Sequence, residues 1–138
     1  MKKLLYLFIA LITFSSCKKD DNSLNLIGSW ELTKVTVWEN GQLSDESIYP
    51  VDGTRFIANF SESKIYTASY NADDGFGRTN EDTYVKDGNS ITFAKGTALE
   101  SLGGTLNKNG NTFILTSIFE EYKVVYTFKR SDIIIPAR

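Results

Sequence analysis

The chain of 138 residues has no histidine and a single cysteine. Without histidine there is no Ser-His-Asp triad, no imidazole metal ligand, and no side chain whose ordinary titration falls near neutral pH. One thiol, Cys17, excludes an intramolecular disulfide. No glycine-rich phosphate loop is present, since Gly75-Phe76-Gly77 and Gly103-Gly104 do not precede helical patterns. No basic patch alternates with aromatics, which speaks against a nucleic-acid partner. The adjacent carboxylates Asp45-Glu46 and Glu120-Glu121 point apart on extended chain, so neither pair is an acid–base couple. The acidic stretch Asn71-Ala72-Asp73-Asp74-Gly75 with Asn80-Glu81-Asp82 lacks the spacing of a calcium loop and reads as a solvated surface. The expectation is a protein without catalytic residues, metal or cofactor.

What is present begins with a targeting segment over residues 1–16. Lys2 and Lys3 lead an apolar stretch from Leu4 to Phe14, well short of the about 20 residues that cross a bilayer. Phe14-Ser15-Ser16-Cys17 resembles the lipobox of bacterial lipoproteins, which implies that Cys17 is acylated and starts the mature chain. The alternative is an ordinary secretory signal with an incidental cysteine. Lys18-Lys19-Asp20-Asp21 follows, a charged tether on composition alone. Its Lys19, Asp20 and Asp21 also resemble the short signal that sends some lipoproteins to the outer face of the outer membrane. Residues 17–25 form the tether, which reaches about 30 Å when extended at roughly 3.3 Å per residue. With Lys2 and Lys3 removed, the 15 basic residues fall by two against 17 acidic ones, and the mature chain is net acidic.

Residues 26–138 read as one all-β domain. Tyr, Phe, Val, Ile and Thr recur in short runs divided by turn residues. The first strand covers about 27–38, with Trp30 and Leu32 on one face and a parity change near Thr33-Lys34, as at a bulge. Asn40-Gly41 opens a long connection to Asp52-Gly53. Phe56, Ala58 and Phe60 then face inward, opposite Arg55 and Asn59. A turn at Ser61-Glu62-Ser63 pairs Phe60 with Lys64 and brings Tyr66, Ala68 and Tyr70 inward too. Small then faces large, which predicts a filled core. Two-residue turns at Asp87-Gly88 and Asn109-Gly110 pair Tyr84 with Ile91 and Leu106 with Phe113. A longer loop covers about 117–121. The last strand alternates cleanly, Tyr122, Val124, Tyr126, Phe128 and Arg130 against Lys123, Val125, Thr127 and Lys129. Ile133-Ile134-Ile135 form an apolar tail that has to pack.

Sequential hairpins without a long crossover predict an eight-stranded antiparallel up-and-down meander barrel, closed so that no edge is exposed. Alternate connections share an end, so the three tight turns lie at a compact base near the tether. The longer loops, carrying candidate mouth residues Tyr49, Tyr70, Phe76 and Phe119, lie at the opposite end.

Gly28-Ser29-Trp30 opening the first strand, the meander, and Arg130 closing the last strand resemble the lipocalin-like domains of bacterial lipoproteins, over about residues 27–132. The resemblance implies that Arg130 packs across Trp30 at a closed base, a cation–π pair worth about 0.5–2 kcal/mol. It implies a binding module anchored to the membrane by its lipid and displayed on the cell surface, holding a small apolar or amphipathic ligand at the open end. The alternative is an interaction or inhibitor module of the cell envelope with a filled core and a protein partner.

Overall fold

In the computed structural model, residues 25–97 and 99–136 are described. Cys17, Lys19, Asp20 and Asp21, and with them the targeting segment and most of the tether, lie outside the described residues.

Ten strands form one sheet: β1 (Gly28–Glu39), β2 (Gln42–Ile48), β3 (Arg55–Phe60), β4 (Lys64–Asn71), β5 (Gly75–Phe76), β6 (Asn80–Asp87), β7 (Ser90–Phe93), β8 (Gly104–Asn109), β9 (Thr112–Phe119) and β10 (Tyr122–Arg130). The neighbour order is β10-β9-β8-β7-β6-β4-β3-β1, and β1 pairs back onto β10. Eight antiparallel strands therefore close a barrel, as the sequence predicts. The other two strands are excursions, β2 on the upper half of β1 and β5 on the end of β4.

β1 serves three partners, β10 along one edge and β3 then β2 along the other, with a bulge at Thr33. Residues 28–31 pair with β3, residues 34–39 pair with β2, and the register against β10 slips between Leu32 and Lys34. The extra residue restores inward parity, so Val35 and Val37 lie across from Tyr126 and Val124, which continue the interior face of β10. The long connection expected after Asn40 is instead a hairpin. Asn40 and Gly41 both have positive φ, 50° and 79°, and close a two-residue turn between Glu39 and Gln42. The loop expected at 117–121 is also tight. Glu120, at φ 53°, turns the chain so that Phe119 pairs with Tyr122.

At the base, the two glycine turns centre one residue later than the sequence reading places them. Gly88 and Gly110 occupy the first central position with φ 58° and 62°, so Asp87 pairs with Ser90 and Asn109 with Thr112. Tyr84 consequently faces Phe93, and Leu106 faces Leu115. A two-residue shift leaves the inward parity intact.

The β3–β4 turn differs with more consequence. Phe60 pairs with Ile65, not Lys64, and the Ser61 N–H donates to the Lys64 carbonyl at 2.8 Å. One extra turn residue sends the whole of β4 to the opposite parity. Ile65, Thr67 and Ser69 line the interior, while Tyr66, Ala68 and Tyr70 face outward. The outward face is apolar because the C-terminal tail covers it. Ile133 and Ile135 pack with Ile57, Ala68, Tyr66, Tyr70 and Phe76, whereas Ile134 points to solvent. Polar groups fix the tail: the Ile135 N–H donates to Asn59 Oδ1 (2.6 Å), Asn59 Nδ2 donates to Ser29 Oγ (2.8 Å), and the Ser29 hydroxyl donates to the Ile133 carbonyl.

On the same outer face Glu31 is only 2% exposed. Arg55 meets it with a two-pronged bond, Nε to Oε1 at 2.7 Å and Nη2 to Oε2 at 2.5 Å, and Lys129 stands 3.9 Å away. The Arg55 bonds, aided by its charge, hold the Glu31 carboxyl below its ordinary range despite burial. A depressed carboxyl contributes stability above its unfolded value near 4.5 and loses it as pH falls through the folded value. Denaturant titrations of the full chain should therefore show stability falling below about pH 4.5. Glu31→Gln should cost about 1–3 kcal/mol at pH 7, less than a wholly buried pair because Arg55 is partly solvated, and should flatten that acid limb.

Candidate ligand-binding cavity

The barrel interior divides into a packed base and an open upper half. Trp30 is fully buried at the base. Its indole N–H donates to the Leu26 carbonyl at 2.8 Å, and its ring meets Phe113 edge-on at 4.6 Å. Phe113 stacks on Phe128 at 4.7 Å, Phe60 meets Tyr84 edge-on at 5.4 Å, and the Tyr84 hydroxyl donates to the Ser61 carbonyl. These aromatics form a floor. Arg130 closes it from the side, its guanidinium carbon 4.0 Å from the Trp30 centroid and its Nη1 donating to the Ile27 carbonyl. Gly28, directly across β1, has φ 125°, and a side chain there would run into the Arg130 guanidinium. The Gly-x-Trp spacing thus has a physical reason: the glycine makes room for the arginine that covers the tryptophan.

Above the floor lies a cavity of about 410 Å³. Phe60, Ile65, Ile91, Leu106, Phe113 and Leu115 bound it below and are almost wholly buried. Leu32, Thr67, Leu99, Leu102 and Tyr126 line its upper part and, like Phe128 in the floor, are only half-buried. Phe56, 42% exposed, stands at its edge with Ser69, Arg78 and Asn80. This volume sits within the range of small-molecule pockets, about 300–1,000 Å³. The filled core expected from the sequence is confined to the base. The reason is the β4 parity: Ala58 faces Thr67 rather than Tyr66, so no large aromatic from β4 enters the interior.

Polar groups in this lining are few. Burial raises the Tyr126 phenol above its ordinary value, so it stays a neutral donor and acceptor facing the cavity. Arg78 is the one charged residue among the described lining residues.

Of the four candidate mouth residues, none lines this cavity. Tyr49 comes nearest. Its N–H donates to the Thr33 carbonyl at 2.9 Å, and its ring meets the cavity-edge Phe56 edge-on at 5.3 Å, across the gap where β1 leaves β3. Tyr70 and Phe76 pair across β4 and β5, rings 5.0 Å apart, on the outer face under the tail. Phe119 sits half-exposed beside the β9–β10 turn. The residues that sequence reasoning passed over are Ser69, Arg78, Asn80, Leu99 and Leu102. The parity of β4 hid Ser69, Asn80 opens β6 inside the acidic run read as a solvated surface, and the others belong to connections without a periodic signal.

The sequence matches no protein-family model and no curated protein.

Proposed function

We propose that this protein is a lipocalin-like binding module, lipid-anchored through Cys17 to the outer membrane and displayed at the cell surface, that carries a small apolar or amphipathic ligand inside its barrel. The observation that carries this reading is the apolar cavity of about 410 Å³ above an aromatic floor. A packed barrel of eight strands needs no such space, since side chains suffice to fill it. The ground for proposing a non-catalytic role is the missing histidine, the commonest general base. The described chain enters at the base, beside Leu26 and Trp30, at the end opposite the cavity edge.

The reading is tested by isolating the full chain from its own membrane in lipid nanodiscs and releasing it into a native mass spectrometer. A discrete extra mass, lost on delipidation and regained with a lipid extract, is the expected result. A bare chain mass under all conditions would contradict it.

A second reading, an interaction module for an envelope protein, draws on a different surface. Leu43, Trp38, Lys123 and Ile118 form one cross-strand row on the outer face of the upper sheet. Leu43 and Ile118 are well exposed, and Lys123 Nζ lies 5.1 Å from the Trp38 centroid. Crosslinking in intact cells discriminates: a partner captured reproducibly and lost in Ile118→Asp favours this reading.

A further inference from the structure

The cavity is apolar nearly throughout, yet its polar side chains, the Tyr126 phenol apart, are gathered on one stretch of wall. Thr67 of β4 pairs with Asn80 of β6. Two residues on, the Ser69 carbonyl accepts the Gly77 N–H at 2.9 Å, which seats Arg78 beside the upper end of β4. A side chain at Gly77 would meet the Ser69 hydroxyl, which would have to rotate away. Ser69, Arg78 and Asn80 all line the cavity, and among the described residues none of their side chains has a hydrogen-bonding or ionic partner. The other described arginines are engaged: Arg55 is paired with Glu31. Arg130 spends its charge on a ring and a carbonyl. Arg78 is thus a fork of donors held by a shaped loop at the edge of an apolar chamber, with two further polar side chains beside it.

We infer that Ser69, Arg78 and Asn80 form a headgroup site, and that the ligand is an anionic amphiphile whose apolar body enters the cavity while its acidic group stays at the edge on Arg78. This rests on the binding reading above and adds to it the charge and orientation of the ligand. A planar guanidinium suits an oxyanion, carboxylate or phosphate alike, because both offer two acceptor oxygens to parallel N–H groups. The hydroxyl of Ser69 and the amide of Asn80 supply further donors. The mature chain is net acidic, so the attraction is local to Arg78 and not a general field.

The experiment holds the tail constant and changes the head. The full chain in nanodiscs, with empty nanodiscs subtracted, is titrated with dodecanoate, dodecyl phosphate, dodecanol and dodecyltrimethylammonium by displacement of a fluorescent apolar probe. The proposal expects the two anions to bind about tenfold or more tighter than the alcohol, with the cation weakest. Arg78→Ala should remove that advantage, bringing the anions to the level of dodecanol, and Arg78→Lys should restore part of it. The preferred anion identifies the head: carboxylate over phosphate points to a fatty-acid type of ligand, the reverse to a phosphate monoester. Equal binding of all four heads, or an anion preference untouched by Arg78→Ala, would overturn the headgroup site while leaving the cavity reading intact. If none of the four displaces the probe, the binding reading itself fails. Thermal melts of each variant confirm folding, and exposed Arg78 is not expected to shift them measurably.

Discussion

Replacing Trp30 by alanine should cost about 3–5 kcal/mol and lower the melting temperature by roughly 10–25 °C. Trp30 joins several parts of the molecule. Its ring carries the edge contact to Phe113 on β9, the Arg130 guanidinium on β10 and the N-terminal approach through Leu26. Removing it leaves a void in a floor that cannot collapse, since β1 is held on one side by β3 and on the other by β10. The buried Leu26 carbonyl would lose its donor, adding about 1–3 kcal/mol unless water replaces it. A domain with ordinary stability of about 5–15 kcal/mol would lie near its limit. Trp30→Phe should cost clearly less, because it keeps most of the apolar bulk and loses chiefly the hydrogen bond. Chemical denaturation of the three proteins measures the difference. Equal stability of Trp30→Ala and the parent would mean that the base is not fastened at this point.

Thr67→Phe should lower affinity for a twelve-carbon amphiphile on the order of a hundredfold while leaving the fold as stable as before. Thr67 is half-buried and faces the open upper cavity from the middle of β4. An aromatic ring there takes the space of about three or four methylene groups, each worth about fourfold in affinity. Phenylalanine suits a strand as well as threonine does, and it grows into empty volume, so stability should hold or rise slightly. Loss of binding together with retained stability is the pattern of an occupied cavity. Binding that survives the substitution would move the ligand elsewhere, toward the exposed row of Leu43 and Ile118.

Much of the scaffold could be read from the chain because its signals are local. The alternation of β10 is unbroken, the parity change at Thr33 marks the bulge, and Gly28, Trp30 and Arg130 stand at the two ends that meet. The three base turns were legible in place, though glycine at the first central position moved two of them by one residue and the third, at Ser61-Glu62-Ser63, holds one residue more. Harder to read was anything set by two-sided burial. β4 carries apolar residues on both faces, Ile65 toward the interior and Tyr66, Ala68 and Tyr70 beneath the tail. Nothing in a period-two pattern tells which apolar face is inside when both are covered. That one parity decides the cavity, and so the cavity was not legible either. The hairpin at Asn40-Gly41 was hidden for another reason: β2 is almost wholly exposed and polar, so it lacked the alternation of a half-buried strand. Glu120 was missed because a non-glycine residue with positive φ has no compositional mark.

The central claim is that an apolar chain enters the barrel and comes to rest on the aromatic floor. The sequence offers a direct reporter, since it has only two tryptophans. Trp30 belongs to the floor, in edge contact with the cavity-lining Phe113, and Trp38 lies on the outer face under Lys123. In the full-length Trp38→Phe protein, the remaining emission belongs to Trp30 alone. Titration with dodecanoate carrying bromine at its far end should quench that emission saturably, and unbrominated dodecanoate should reverse it by competition. Thr67→Phe should abolish the effect. Quenching that occurs only when Trp38 is present, or none at any concentration that displaces the fluorescent probe, would contradict a ligand held inside the barrel.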